Sequence, residues 1–276
     1  LEAGRNFANK LWNATRFVVR GIPPEYKSLS KEAREVLAVL KYGTQLPVED
    51  RWILSRLNHT IASITSLMED FQFGEAQRQI YDFLWGEFCD WYIEIAKIRL
   101  RSGKDVTSPI PILVDVLETS LRLLHPYMPF VTEELWQNLK SRLPSDWQAT
   151  ESIMVANYPE ADKAAIDPQA EGVMESVIEI IHSIRNTRAQ YKVESARWIE
   201  AQIYAGELTP DIIPHSQAIQ TLARVRPVTF LGSRQEGSPV ENALVLVLKE
   251  SEVVLPVESM VNREAEKKRL LEEIEQ

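Results

Sequence analysis

The sequence predicts a mostly α protein: a helical bundle, then a small α+β domain, then a charged final helix. Three observations carry this. Apolar residues recur at three- and four-residue spacings through the first half of the chain. Alternating apolar and polar residues replace that pattern beyond about residue 195, and the last eighteen residues are dominated by charge.

In the first helix, over about 2–20, Phe7, Leu11, Ala14 and Val18 make one apolar face. Gly21-Ile22-Pro23-Pro24 ends it, because proline cannot continue a helix. A short helix over about 31–41 follows, with Ser30 as N-cap and Val36, Leu37 and Leu40 turned inward. The next runs from about 48 to 70 behind Pro47, with Ile53, Leu57, Ile61, Ile64 and Met68 as its stripe. Further helices are expected over about 73–101 (Tyr81, Leu84, Phe88, Trp91, Ile95), 109–124 (Leu113, Val116, Leu117, Leu121) and 129–140 (Leu135, Trp136). Long amphipathic helices with short connections read as a bundle. Proline, alanine and acids collect from Tyr158 to Pro168 and read as a linker. The domains are therefore expected at 1–157, 158–258 and 259–276.

In the second domain a helix over about 169–190 buries Val173, Val177, Ile180, Ile181 and Ile184. Strands are expected at 198–204, 243–248 and 253–255, with a short helix near 210–223. The final helix, from about Ser259, has only Leu270, Leu271 and Ile274 as an apolar stripe. It reaches Gln276 with no stop signal, and both ends of the chain read as cut from something longer.

The 276 residues carry a net charge of −9, which by itself argues against nucleic-acid binding. The first twenty-seven residues run the other way, with Arg5, Lys10, Arg16, Arg20 and Lys27 against Glu2 and Glu25. A local basic patch on an acidic protein can still meet phosphate. The single cysteine, Cys89, has no internal disulfide partner, which fits a cytoplasmic setting, and no apolar run is long enough to span a membrane.

No catalytic or metal-binding constellation stands out. The four histidines fall in no His-x-x-x-His pair, the ten glycines build no phosphate loop, and Glu133-Glu134 reads as a helix first turn. The first helix is the exception. Opposite its apolar face, Arg5, Asn9, Asn13, Arg16 and Arg20 form a second continuous stripe. Asparagine is a poor interior helix former, and planar amide and guanidinium groups on one ridge suit hydrogen bonds to bases and phosphates. A plain solvated face is the alternative. Arg185, Arg188 and Lys192 form a smaller basic group with the same two readings.

Three stretches resemble the valyl-tRNA synthetase family. Gly4-Arg5-Asn6-Phe7-Ala8-Asn9-Lys10-Leu11-Trp12-Asn13-Ala14-Thr15-Arg16-Phe17 looks like the first helix of that family's anticodon domain. Trp85-Gly86-Glu87-Phe88-Cys89-Asp90-Trp91-Tyr92 is similar to a second family segment. His125-Pro126-Tyr127-Met128-Pro129-Phe130-Val131-Thr132-Glu133-Glu134-Leu135-Trp136 resembles one shared with the isoleucine and leucine enzymes. The run from Leu255 to Leu270 looks like the entry to the family's C-terminal coiled-coil arm, so the resemblance covers most of the chain. It implies an anticodon-binding helical bundle, a small α+β connecting domain and the start of that arm.

It further implies tRNA(Val) as partner, with the middle and last anticodon bases read by the first helix and the loop after it. Arg5 and Arg16 are then the first candidates for anticodon contact, Asn9, Lys10, Asn13 and Arg20 the next, and Tyr26 a stacking residue. Arg185, Arg188 and Lys192, read from their charge pattern rather than from the resemblance, are the candidates for secondary tRNA contacts, with a solvated face as the alternative. The family's His-x-Gly-His and Lys-Met-Ser-Lys-Ser signatures are absent from this sequence. Catalysis, with ATP and Mg, is therefore expected of the parent enzyme only, with no cofactor in this piece. A monomer without membrane attachment is expected. A protein-interaction scaffold, or the matching region of an isoleucine or leucine enzyme, are the alternative readings.

Overall fold

The computed structural model describes residues 2–28, 46–103, 108–144, 150–232 and 242–260. The chain divides into two compact units, Leu1–Glu171 and Gly172–Gln276. The expected helix at 31–41 and the expected arm beyond Met260 lie outside the described residues.

The first unit is the helical bundle. Helix α1 (Glu2–Gly21) buries Phe7, Leu11, Ala14 and Val18, as its stripe predicts. It stops at Gly21, where a side chain would meet Ile110 Cδ1 at 2.9 Å, so glycine permits a close approach at that end. A 3-10 turn (Pro24–Ser28) follows. Helix α2 (Val48–Glu69) starts on Pro47, whose carbonyl accepts from the amides of Asp50 and Arg51. Phe71, in left-handed backbone with φ of 58°, turns the chain into the next helix.

The stretch expected as one helix at 73–101 is three consecutive pieces: α3 (Phe73–Asp82), a π-helical segment (Phe83–Tyr92) and α4 (Ile93–Ser102), closed by Gly103 at φ 59°. Helices α5 (Ile110–Leu124) and α6 (Pro129–Lys140) both begin with proline in the first turn, where its missing N–H has no cost. Val18, Ile53, Ile64, Leu84, Phe88, Tyr92, Leu113, Leu117, Leu121 and Trp136 form the core.

The Pro- and acid-rich stretch after Tyr158 lies against α2. Asn58 Oδ1 accepts from the Asp162 amide at 2.7 Å, Ser55 Oγ accepts from the Asp167 amide at 2.8 Å, and Arg51 pairs with Asp167.

The second unit contains most of α7 (Pro168–Gln190), which buries Val173, Met174, Val177, Ile180, Ile181 and Ile184. Strand β1 (Ile199–Tyr204) leads through α8 (Thr209–Ile212) and α9 (Ser216–Ala223) to β2 (Val225–Leu231). Strands β3 (Ala243–Val247) and β4 (Glu252–Pro256) complete a sheet of order β2-β1-β4-β3, and α10 (Val257–Met260) follows. The β1–β2 pair is parallel and the other two are antiparallel. A parallel pair needs a crossover, which the short helices supply.

Strand β2 was not expected, because Pro227 and Arg226 interrupt its alternation. It is an edge strand, and the register jumps from Ile199–Val225 to Ala201–Val228, so the Arg226-Pro227 pair sits in a bulge. An edge bulge is where a sheet tolerates proline.

Candidate nucleic-acid interface

Helix α1 has two sides of opposite character. Its apolar face enters the bundle, while Arg5, Asn9, Asn13, Arg16 and Arg20 are all exposed. At 100° per residue these five positions span an arc of about 80°. Asn13 Oδ1 accepts from Arg16 Nη2 at 2.9 Å, which restrains the guanidinium along the ridge.

Trp12 belongs to the same ridge and was not singled out from the sequence. It lies about 20° from Arg5 and about 40° from Arg16 around the helix, and it is 44% exposed. The signal was present: Trp12 is one residue out of phase with Leu11.

Lys10 is placed differently. Its ammonium stands 2.5 Å from Asp90 Oδ1, donates to the Trp85 carbonyl at 3.3 Å, and lies 3.6 Å from the Trp85 ring centroid. It joins α1 to the π segment through a partly exposed ion pair. The π geometry makes this possible. Residues five apart are about 140° apart on an α-helix but only about 50° apart on a π-helix of roughly 4.4 residues per turn, so Trp85 and Asp90 share one ridge facing Lys10. Phe7 packs beside them, 4.8 Å from the Tyr81 ring and 6.5 Å from that of Trp85.

Tyr26 sits in the 3-10 turn just beyond α1, half-buried, and burial pushes its hydroxyl up to about 12. At neutral pH it is a neutral ring next to the end of the basic ridge. Cys89 is buried, and burial pushes its thiol up to about 12, which removes it as a nucleophile.

In the second unit the three basic candidates separate. Arg188 is buried, donating to the carbonyls of Arg224 at 3.3 Å and Glu194 at 3.0 Å. Burial, and then the charge of Arg224, hold its guanidinium below the ordinary arginine range. Arg185 is exposed and donates to the Leu222 carbonyl at 2.8 Å. Lys192 is exposed in left-handed backbone, with φ of 52°.

Among the described residues no helix is long and apolar enough to cross a membrane. The bundle presents a helix with an exposed planar, cationic and aromatic ridge. A family model described as the anticodon-binding domain of tRNA ligase matches residues 50–203, more than half of the chain, and the chain belongs to that family.

Within it, the chain is similar to valine–tRNA ligases. It is 53% identical over 274 residues to that of Dehalococcoides mccartyi strain CBDB1, an alignment covering 99% of this chain and 30% of that protein. It is 38% identical over 277 residues to that of Clostridium perfringens strain 13 and 36% identical over 269 residues to that of Thermotoga maritima. These alignments cover 99% and 98% of this chain, so they include nearly all of α1, which lies before the family-model match. The chain spans about 30% of the length of these relatives.

Proposed function

We propose that this chain is the anticodon-reading part of a valine–tRNA ligase and that α1 contacts the anticodon of tRNA(Val). The observation that carries the reading is the exposed ridge of Arg5, Asn9, Trp12, Asn13, Arg16 and Arg20 on a helix whose other side is fixed in the core. Arg5 and Arg16 supply bidentate donors for base edges and phosphates, and Asn9 and Asn13 supply amides that can both donate and accept. Trp12 and Tyr26 offer ring faces for unstacked loop bases, the form in which RNA sequence is usually read. Lys10 acts as a positioning residue that fixes α1 against the π segment.

Under this reading the parent protein charges tRNA with valine using ATP and Mg, and regions outside this chain carry that chemistry. It works in the cytoplasm as a monomer without membrane attachment. Relatives' names and the fit of the ridge to RNA loops support the reading.

The test is fluorescence anisotropy of the chain with labelled tRNA(Val), beside a transcript whose middle and last anticodon bases are exchanged, at low and moderate salt. Tighter binding of the valine anticodon, weakening as salt rises, is expected. Equal binding of the two transcripts would reduce the contact to a generic electrostatic one and overturn the anticodon assignment.

A further inference from the structure

One end of the second unit gathers cations from three separate segments. Lys192 stands just past α7, Arg224 ends α9, and Arg226 lies in the β2 bulge. The Arg188 guanidinium ties these segments together by holding the carbonyls of Arg224 and Glu194. Two exposed aromatics share this end: Tyr191, and Trp198, whose ring centroid is 6.0 Å from the Arg224 guanidinium. Among the described residues, Lys192, Arg224 and Arg226 make no ion pair with a carboxylate.

The backbone makes this concentration notable. Beyond α7, the Val193 amide reaches the Arg188 carbonyl and the Lys192 amide reaches that of Ala189, the pattern of a Schellman cap. Lys192, at φ 52°, holds the position glycine ordinarily takes, and Arg224, at φ 54°, likewise caps α9 in left-handed backbone. A helix end does favour positive charge. For α7 that need is already served one turn earlier by Arg188. Cations at two costly backbone positions, beside a third in a bulge, are like charges that no carboxylate pairs with among the described residues, which fits a surface that meets an anion.

We propose that Lys192, Arg224 and Arg226, with Trp198, form a second RNA contact that takes the tRNA phosphate backbone without reading sequence. The assignment of tRNA as its RNA rests on the function proposed above. The segments present point charges and one ring face, with no amide ridge like that of α1, so the contact is electrostatic with a stacking component.

The experiment measures binding of the full 276-residue chain to both anticodon transcripts across a salt series, for the wild type and the K192Q/R224Q/R226Q variant. Loss of about two to three phosphate contacts should lower the slope of log K against log salt by roughly 2, with about tenfold or greater weakening at low salt. Both transcripts should weaken equally, leaving their ratio unchanged. The charge-keeping variant K192R/R224K/R226K should retain wild-type affinity, and matching thermal melts would show that all three proteins are folded. An unchanged slope in the folded glutamine variant, or no RNA binding by the wild type at low salt, overturns the proposal. Failure of the anticodon reading shows instead as equal wild-type binding of the two transcripts, whatever the slope does.

Discussion

The Lys10 ammonium lies 2.5 Å from Asp90 Oδ1 and 3.6 Å from the centre of the Trp85 ring, so one side chain closes α1 onto the π segment through charge and ring face together. Asp90 is about half exposed, and solvent screens its part of the contact. Lys10→Met should therefore cost about 1 kcal/mol, combining an ion pair with a cation–π contact, and Asp90→Asn roughly 0.5 kcal/mol or less. Urea unfolding of both variants checks the ordering, and an Asp90 variant losing more than the Lys10 variant would count against it.

Replacing both Arg5 and Arg16 with Gln should abolish discrimination between valine and exchanged anticodons while leaving the melting temperature within a degree or two of wild type. Each bidentate arginine–base contact is worth about 1–3 kcal/mol of discrimination. Asn13→Ala removes the 2.9 Å restraint on Arg16 and should lower discrimination only partially. Trp12→Ala should weaken binding by about 1–3 kcal/mol through lost stacking, measured by the same anisotropy titration.

The buried Asp50–Arg99 pair should carry more stability than any surface pair. Asp50 Oδ1 accepts from Arg99 at 2.6 Å and from the Tyr92 hydroxyl at 2.6 Å, with Glu49 3.3 Å from the same guanidinium. Arg99→Met leaves a buried carboxylate unpaired and should cost about 3–5 kcal/mol, read from denaturant unfolding.

Asp50 should also make stability depend on pH. Burial pushes its carboxyl up from 3.8 to about 6 against the opposing pull of Arg99, and Oδ2 is buried with no hydrogen-bond partner among the described residues. The folded state then binds the proton more tightly than the unfolded chain. Its contribution is full below 3.8 and is lost as pH rises through about 6. The stability difference between wild type and Asp50→Asn should thus shift against the wild type from pH 4 to pH 7. A difference flat across that window would contradict the assignment.

Cys89, with its thiol pushed up to about 12 and its side chain enclosed, should resist thiol reagents in the native protein and react once denaturant is added. Rapid native labelling would contradict the packing around it.

Much of the bundle was legible because its apolar positions follow one period, and α1, α2, α5 and α6 begin and end within a residue or two of their expected limits. The π segment was not, since its apolar spacing of three and four reads as ordinary helix and only the backbone of the fold reveals the wider turn. Strand β2 was hidden by Pro227, whose place in an edge bulge needs the neighbouring strand to be seen. The basic stripe of α1 was visible as a pattern. That Lys10 turns toward the π segment while Trp12 stays on the ridge depends on what α1 packs against. In the second unit, Arg185, Arg188 and Lys192 read as one group because sequence gives spacing and not burial. Arg224 and Arg226 join their neighbourhood only through the fold.

The π segment also limits how many residues this part of the chain can have. A wide turn of this kind accommodates one residue more than an α-helix would use between two anchored flanks. Removing one residue from Phe83–Tyr92 would let it relax to ordinary α-helix with its flanks in place, whereas adding one would swing a flank around the axis by about 100°. Either Ile80 would leave the core or Arg99 would leave Asp50. Substitutions and a single deletion can therefore be absorbed along this stretch, whereas a one-residue insertion amounts to refolding half of it.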